Sequence, residues 1–311
     1  MPLQVRPDGT LLKDNKPFRG YGVNYVSCFW RILQSRDNDS FRAGFKALAD
    51  RDIPFARFAA CGYWPRDWNT YFQSQPDYWR RLDRVVNAAE RCGIGLIPSL
   101  FWHYPTVPDL HREPVQSLAK SGSVTRSFLA DVTRRLVVRY KDSPAIWAWE
   151  VGNEYNLPAD LPNAAEHRPQ IAPDRGTALR RSAQDEVSHR DIRSVLKFVA
   201  EQIREYDPHR MIASGNAFPR PSAWHQERYR TWAPDTDGQF AEMLAADNPS
   251  PIDSLSGHLY RETGQRFGME TTYEPLIAAA MRTAAATRKP LFVGEFGVEQ
   301  SRTAEEFDAM L

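Results

Sequence analysis

The sequence predicts a barrel of parallel strands wrapped by helices, the (β/α)8 TIM-barrel class, apparently truncated after its seventh strand. Three observations carry that prediction. Short apolar runs alternate with amphipathic stretches along the chain, which argues for parallel strands with helices outside them. Seven such runs occur, at 18–25, 54–59, 95–101, 146–151, 211–214, 254–260 and 291–294. No phosphate-binding glycine loop follows the first run, so a closed barrel is preferred to an open nucleotide-binding sheet.

The elements follow in order. Residues 1–17 read as a hairpin, with turns at Pro7-Asp8-Gly9 and Asp14-Asn15-Lys16-Pro17. Residues 40–51 carry Phe41, Phe45 and Leu48 on one helical face, and 77–91, 124–140, 191–206 and 273–287 behave similarly. Asp39 or Ser40 can cap the first helix, and Gly93 ends the second. The polar, proline-bearing stretches 155–188 and 216–238 read as loops on the face where strands end, not as linkers, so 1–311 is expected to be one domain. Only sixteen residues follow Glu295. They hold a helix start at Thr303-Ala304-Glu305-Glu306 but no eighth strand.

Composition narrows the partners. A net charge of +1 gives no mark of nucleic-acid or anionic-membrane binding. No run approaches transmembrane length, and the first six residues lack an apolar signal core. The reading is therefore a soluble chain, cytoplasmic as written and secreted if its N-terminus is incomplete. Cys28, Cys61 and Cys92 have no metal-ligand spacing. Free thiols are expected, since a core this large needs no staple, with a Cys28–Cys61 bridge as the alternative.

Two apolar runs stop abruptly in glutamate: Ile146-Trp147-Ala148-Trp149-Glu150-Val151-Gly152-Asn153-Glu154 and Leu291-Phe292-Val293-Gly294-Glu295-Phe296-Gly297. A carboxylate at the end of a buried strand is costly unless it is solvated, paired or used. Two of them on one barrel face are what glycoside hydrolysis requires, one to protonate the leaving oxygen and one to attack the sugar.

With these residues in view, the chain resembles the clan A glycoside hydrolases of the cellulase-like family 5, from its first strand to its last residue. The resemblance implies that Glu154, after Asn153 on strand four, is the acid/base and that Glu295 on strand seven is the nucleophile. It implies that Arg57, at the end of strand two, stands beside the nucleophile, and that His103, His258 and Asn153 contact the sugar. Tyr260 would hydrogen-bond Glu295. The family's usual strand-eight tryptophan has no counterpart here.

Plainer readings exist for several of these residues. Arg57 could form a surface ion pair, His103 could satisfy a loop carbonyl, and His258 with Tyr260 could be a packed aromatic pair. Trp30, Trp64 and Trp102 follow strands one to three, and are expected to rim the glutamate face as sugar platforms or to pack there. Trp147 and Trp149 read as core. Glu150, deeper in strand four, reads as a structural partner for a basic residue.

No histidine–carboxylate cluster has metal spacing, and neither a metal nor a cofactor is expected. The expected activity is retaining hydrolysis of a β-linked glucan, mannan or related oligosaccharide, with no protein partner. The alternative is a non-catalytic carbohydrate-binding barrel.

Overall fold

The computed structural model of the chain describes residues 2–171, 179–260, 265–270 and 273–298. Among them seven parallel strands form the barrel wall: β1 (Val23–Asn24), β2 (Phe55–Ala59), β3 (Gly95–Phe101), β4 (Ala148–Gly152), β5 (Met211–Ala213), β6 (Leu255–Leu259) and β7 (Leu291–Phe296). Strands β1 to β5 make one ladder in sequence order, and β6 pairs with β7. The seam between β5 and β6 is crossed by Asp253 N–H to Ile212 O at 2.9 Å and by Gly215 N–H to Ser256 Oγ at 3.3 Å. Strands β2 to β6 are buried throughout. Strand β7 is half-buried along its length, and among the described residues its only ladder partner is β6.

Each of the first six strands leads to an outer helix: α1 (Ser40–Ala49), α2 (Gln75–Cys92), α3 (Val124–Tyr140), α4 (His189–Tyr206), α5 (Asp237–Ala246) and α6 (Tyr273–Thr287). Their apolar faces pack on the strands. Phe41, Phe45, Leu82, Val85, Val195 and Leu196 are all buried there. Ends are set by local chemistry. Ser74 accepts from Asp77 N–H at the start of α2, and Gly93 closes that helix in the left-handed region at φ 68°. At α1, neither expected cap acts as one. Asn38 Oδ1 instead accepts from Ser40 N–H at 3.1 Å.

The sequence reading assigns no helix between strands five and six, yet α5 is there. Its ten residues carry only Phe240, Met243 and Leu244 inward, too few for a clear period. The Thr236/Gln239 capping box was the available signal. The first strand is also shorter than expected. Residues 18–22 run outside the ladder, and a β-carbon on Gly22 would lie 2.3 Å from the Phe55 ring.

The N-terminal segment is a three-stranded antiparallel meander, Leu3–Val5, Leu11–Lys13 and Lys16–Pro17. Asp14 and Asn15, both at positive φ, turn its second hairpin. It closes the end of the barrel away from the glutamates. Leu3 N–H donates to Trp147 O at 2.7 Å, and Leu3, Phe55, Ile97, Trp147 and Met211 form one apolar cluster. The three cysteines are free. Among the described residues no helix is long and apolar enough to cross a membrane. The helix start read at 303–306 lies outside the described residues.

Candidate active site

The site grows from the C-terminal ends of the strands, as barrel geometry dictates. Arg57 is its hub. It sits within β2 rather than at its end, points inward and is 2% exposed. Its Nε donates to both oxygens of Glu150 at 2.9 and 2.8 Å. Its Nη1 donates to Glu295 Oε1 at 2.7 Å and Asn24 Oδ1 at 3.3 Å, and its Nη2 to Asn153 Oδ1 at 2.7 Å. The guanidinium also lies 4.4 Å from the centre of the Trp102 ring. A buried guanidinium needs this many acceptors to offset its lost hydration. Burial pulls its pKa down, but Glu150 and Glu295 outweigh that and raise it.

Glu150 is fully buried and bonded to Arg57, a partner rather than a reactant in this geometry. Glu154, four residues on, leaves the strand in the left-handed region at φ 53°, uncommon for a non-glycine residue. Its N–H donates to Gly215 O at 2.8 Å. Gly215, at φ 78°, must be glycine here, because a β-carbon would lie 1.9 Å from Gly152 O. Glu154 Oε1 lies within hydrogen-bond distance of His258 Nδ1, at 2.9 Å.

Glu295 is aimed by a bulge. In the β6–β7 register Val293 faces Gly257 and Glu295 faces His258, so Gly294 is the extra residue. Asn24 Nδ2 donates to the Gly294 carbonyl at 3.1 Å and so pins the bulge from β1. The Glu295 carboxylate takes Arg57 on Oε1 and Tyr260 Oη on Oε2 at 2.8 Å. His258 Nδ1 is 3.8 Å from Oε2. Burial pushes the Glu295 pKa up, but His258, Arg57 and the Tyr260 hydrogen bond prevail and hold it below the usual glutamate value.

An oxygen of Glu154, a ring nitrogen of His258 and an oxygen of Glu295 all lie within 4.8 Å of one another. Sequence spacing showed no such cluster, because three strands supply it. It is the one group among the described residues with the donor set for a metal ion. Arg57, Tyr260 and His258 already engage both carboxylates, so the arrangement serves proton and nucleophile chemistry as it stands.

The rim is aromatic. His103 stacks on Tyr63 at 4.6 Å and 10°, with Trp64 edge-on to both. Thr106 Oγ1 donates to Tyr63 O at 2.5 Å, so it accepts from His103 Nδ1 at 3.0 Å and fixes that tautomer. Burial, then the charge of Arg181, lowers the His103 pKa to about 4. Trp30 donates its Nε1 to Cys61 O at 2.7 Å and packs edge-on against Tyr63 and Trp102. Trp30 and Trp64 are half-buried.

Trp102 takes the packing alternative. It is 7% exposed, its face is covered by Arg57, and it serves as packing beneath the hub. Sequence reasoning also missed Asn24 and Tyr63. Asn24, a polar side chain closing an apolar run, was legible in principle. Tyr63 was not marked by any pattern, yet it stands close enough to Glu154 for that charge, after burial, to raise its pKa.

One consequence is local. A β-carbon on Gly294 would lie 2.9 Å from His258 Nε2 and 3.2 Å from its Cδ2. Gly294→Ala is expected to displace the imidazole and lower kcat/KM by about tenfold or more, in keeping with overpacking costs of about 1–3 kcal/mol. Steady-state kinetics with a circular-dichroism check would show this. Unchanged kinetics would mean that the bulge does not position His258.

A parallel barrel with two glutamates at the ends of β4 and β7, bridged by histidine and backed by a buried arginine, defines a glycoside hydrolase site. The chain belongs to the cellulase family, glycosyl hydrolase family 5, whose model matches residues 13–311. Similar folds include the endo-1,4-beta-mannanase from Rhizomucor miehei, with TM-score 0.63 and 19% identity over 97% of this chain and 83% of that one. The exo-beta-1,4-mannosidase Op5Man5 from Opitutaceae bacterium strain TAV5 gives TM-score 0.64 and 19% identity over 98% of this chain and 51% of that one. The endoglucanase Cel5A catalytic domain from Thermobifida fusca gives 0.55 and 16%, over 99% and 79%. No curated protein matches the sequence significantly.

Proposed function

We propose that this glycoside hydrolase cleaves a β-linked glucan, mannan or related oligosaccharide by double displacement with retention of configuration. The observation that carries the reading is the approach of Glu154 and Glu295, with ligand-competent oxygens within 4.8 Å. Carboxylates this close suit a nucleophile and an acid, whereas inverting pairs stand about 6.5–9.5 Å apart to admit a water.

In the first step a Glu295 oxygen attacks the anomeric carbon as the glycosidic bond breaks, and Glu154 gives its proton to the leaving oxygen. In the second, Glu154 takes a proton from water, whose oxygen displaces Glu295 from the same carbon. Arg57 and Tyr260 keep Glu295 ionised and aimed. Asn153 accepts from Arg57 through Oδ1, which leaves its Nδ2 as a donor for the sugar 2-hydroxyl. His103 and His258 line the sugar position, with Trp30 and Trp64 on the aromatic rim. Residues 1–311 act as one catalytic domain.

The sugar is a matter for a substrate panel of β-mannan, β-glucan, xylan and aryl glycosides. The mannan-acting neighbours put β-mannan first in it.

Trapping tests the chemistry. A 2-deoxy-2-fluoro β-glycoside with an activated leaving group, supplied in both gluco and manno forms, is expected to add one glycosyl mass to the peptide containing Glu295. A label on the Glu154 peptide, or none with either sugar, contradicts the assignment.

A further inference from the structure

Glu154 stands in a stretch of backbone that local preference does not hold. It is the second residue beyond β4, at φ 53°, a region that a residue with a β-carbon enters when its surroundings compel it. Its N–H donates to Gly215 O at 2.8 Å, and its carbonyl accepts from Leu157 N–H at 3.2 Å, closing a single turn. The contact with His258 bears on the carboxyl group alone. What fixes the backbone beneath that carboxyl comes from the two residues that follow it.

Tyr155 reaches back to β3. It is 2% exposed, and its ring lies so close on the β4 backbone that a β-carbon on Gly152 would be 2.4 Å from it. Tyr104 packs edge-on against the same ring at 5.8 Å and 66°. The Tyr155 hydroxyl donates to the carbonyl of Phe101, the last residue of β3, at 2.5 Å. Burial raises the phenol pKa well above its ordinary value, so the group remains a donor.

Asn156, equally buried, turns to the other side. Its Nδ2 donates to Ala217 O at 2.8 Å, and its Oδ1 accepts from Ala217 N–H at 3.1 Å. This closed pair imitates a step of backbone ladder. It continues the line of Gly152 N–H to Ser214 O at 3.1 Å and Glu154 N–H to Gly215 O beyond the end of β5. The receiving strip is itself anchored. Gly215 N–H donates to Ser256 Oγ on β6 at 3.3 Å, and Asn216 Nδ2 to Asp247 O at 2.9 Å. Arg220 adds bonds to Asn156 O at 3.2 Å and Ala159 O at 2.5 Å.

We propose that Tyr155 and Asn156 are positioning residues for the acid/base. They tie the backbone behind Glu154 to β3 on one side and to the segment after β5 on the other, and so keep its carboxyl in reach of the leaving oxygen. The inference rests on the reading of Glu154 as proton donor. A general acid must come within about 2.6–3.2 Å of the atom it protonates, so a small shift of the Glu154 backbone forfeits the transfer. Because the two residues act through Glu154, their removal should hurt most where the leaving group most needs a proton.

The test compares the full chain with Tyr155→Phe, Asn156→Asp and Tyr155→Phe/Asn156→Ala, and takes Glu154→Ala as the reference. Tyr155→Phe removes one hydroxyl and keeps the ring. Asn156→Asp keeps the acceptor for Ala217 N–H and removes the donor. The first displacement is read as kcat/KM on aryl β-glycosides of graded leaving-group pKa, in gluco and manno forms, and thermal melts record folding. On the poorest leaving group each single variant is expected to lose about tenfold and the double variant about 100-fold, the order of a misplaced reacting group. On the best leaving group the losses should be far smaller. The dependence of kcat/KM on leaving-group pKa should therefore steepen in the same sense as in Glu154→Ala.

A steeper dependence in Glu154→Ala with losses of equal size across the series in the other variants, or with no loss in them, sinks the positioning role alone. A series in which Glu154→Ala itself loses equally on every leaving group sinks the catalytic reading and takes this inference with it. Loss of a cooperative melt in all three variants overturns the positioning role, since Tyr155 and Asn156 would then serve the fold as a whole.

Discussion

Glu295→Ala is expected to abolish turnover of every glycoside, activated or not, because Glu295 is the proposed nucleophile of both substrate types. Added azide should restore reaction and give a glycosyl azide of inverted configuration, since the small anion occupies the space of the missing carboxylate. Glu154→Ala should behave differently. On a natural glycan the loss should be about 10²- to 10⁴-fold, the usual worth of a general acid. On an activated aryl glycoside the first step needs little protonation and should be nearly intact. The contrast assigns the two roles, and the measurement is kcat/KM on both substrate types with the azide product identified. Equal losses for Glu150→Gln and Glu154→Gln on the natural glycan would mean that the wrong glutamate of strand β4 carries the proton.

The second large effect concerns the buried hub. Glu150 and Arg57 are 0% and 2% exposed, and their contact at 2.8 Å sets the charge balance beneath the site. Removing one member of such a pair costs about 3–5 kcal/mol, because the other charge stays buried and under-compensated. Glu150→Ala is therefore expected to lower Tm by roughly 5–10 °C. An unchanged Tm would show that Arg57 is supported well enough by Glu295, Asn24 and Asn153.

Arg57→Met probes the same hub through pH. Glu295 is held below its usual pKa partly by Arg57, so activity persists as pH falls until Glu295 takes up a proton. With the guanidinium gone that proton binds at higher pH, and the acid limb of the kcat/KM profile should move upward. An acid limb that stays put would place the depression of the Glu295 pKa elsewhere, in His258 or Tyr260.

Much of this arrangement could be read from the chain before folding. A run such as Ile146 to Glu154 declares both a buried strand and its end, because a carboxylate cannot sit unpaired inside the wall. The same logic gave Glu295, whereas Tyr260 came from the end of the sixth apolar run and from the family resemblance. Glu150 was legible as a partner of a basic residue, though not which one. What escaped was set by contacts across the sheet.

The bulge at Gly294 depends on the register between β6 and β7, and local sequence cannot show it. Asn24 matters because it reaches across to Gly294 and Arg57, 270 and 33 residues away. Which of its two alternatives Trp102 takes could not be told beforehand, because nothing local reveals that Arg57 covers its face. Helix α5 escaped because its apolar stripe is short and its capping box was passed over.

The central claim is that Glu154 and Glu295 act as acid/base and nucleophile in two successive displacements at one carbon. Proton NMR of the first-formed product tests it most directly, with an aryl β-glycoside or β-linked oligosaccharide hydrolysed fast enough to precede mutarotation. The β-anomer appearing first, with the α-anomer growing only at the mutarotation rate, is the predicted result. An α-anomer formed first would mean a single displacement by water, and would contradict the roles assigned to both glutamates.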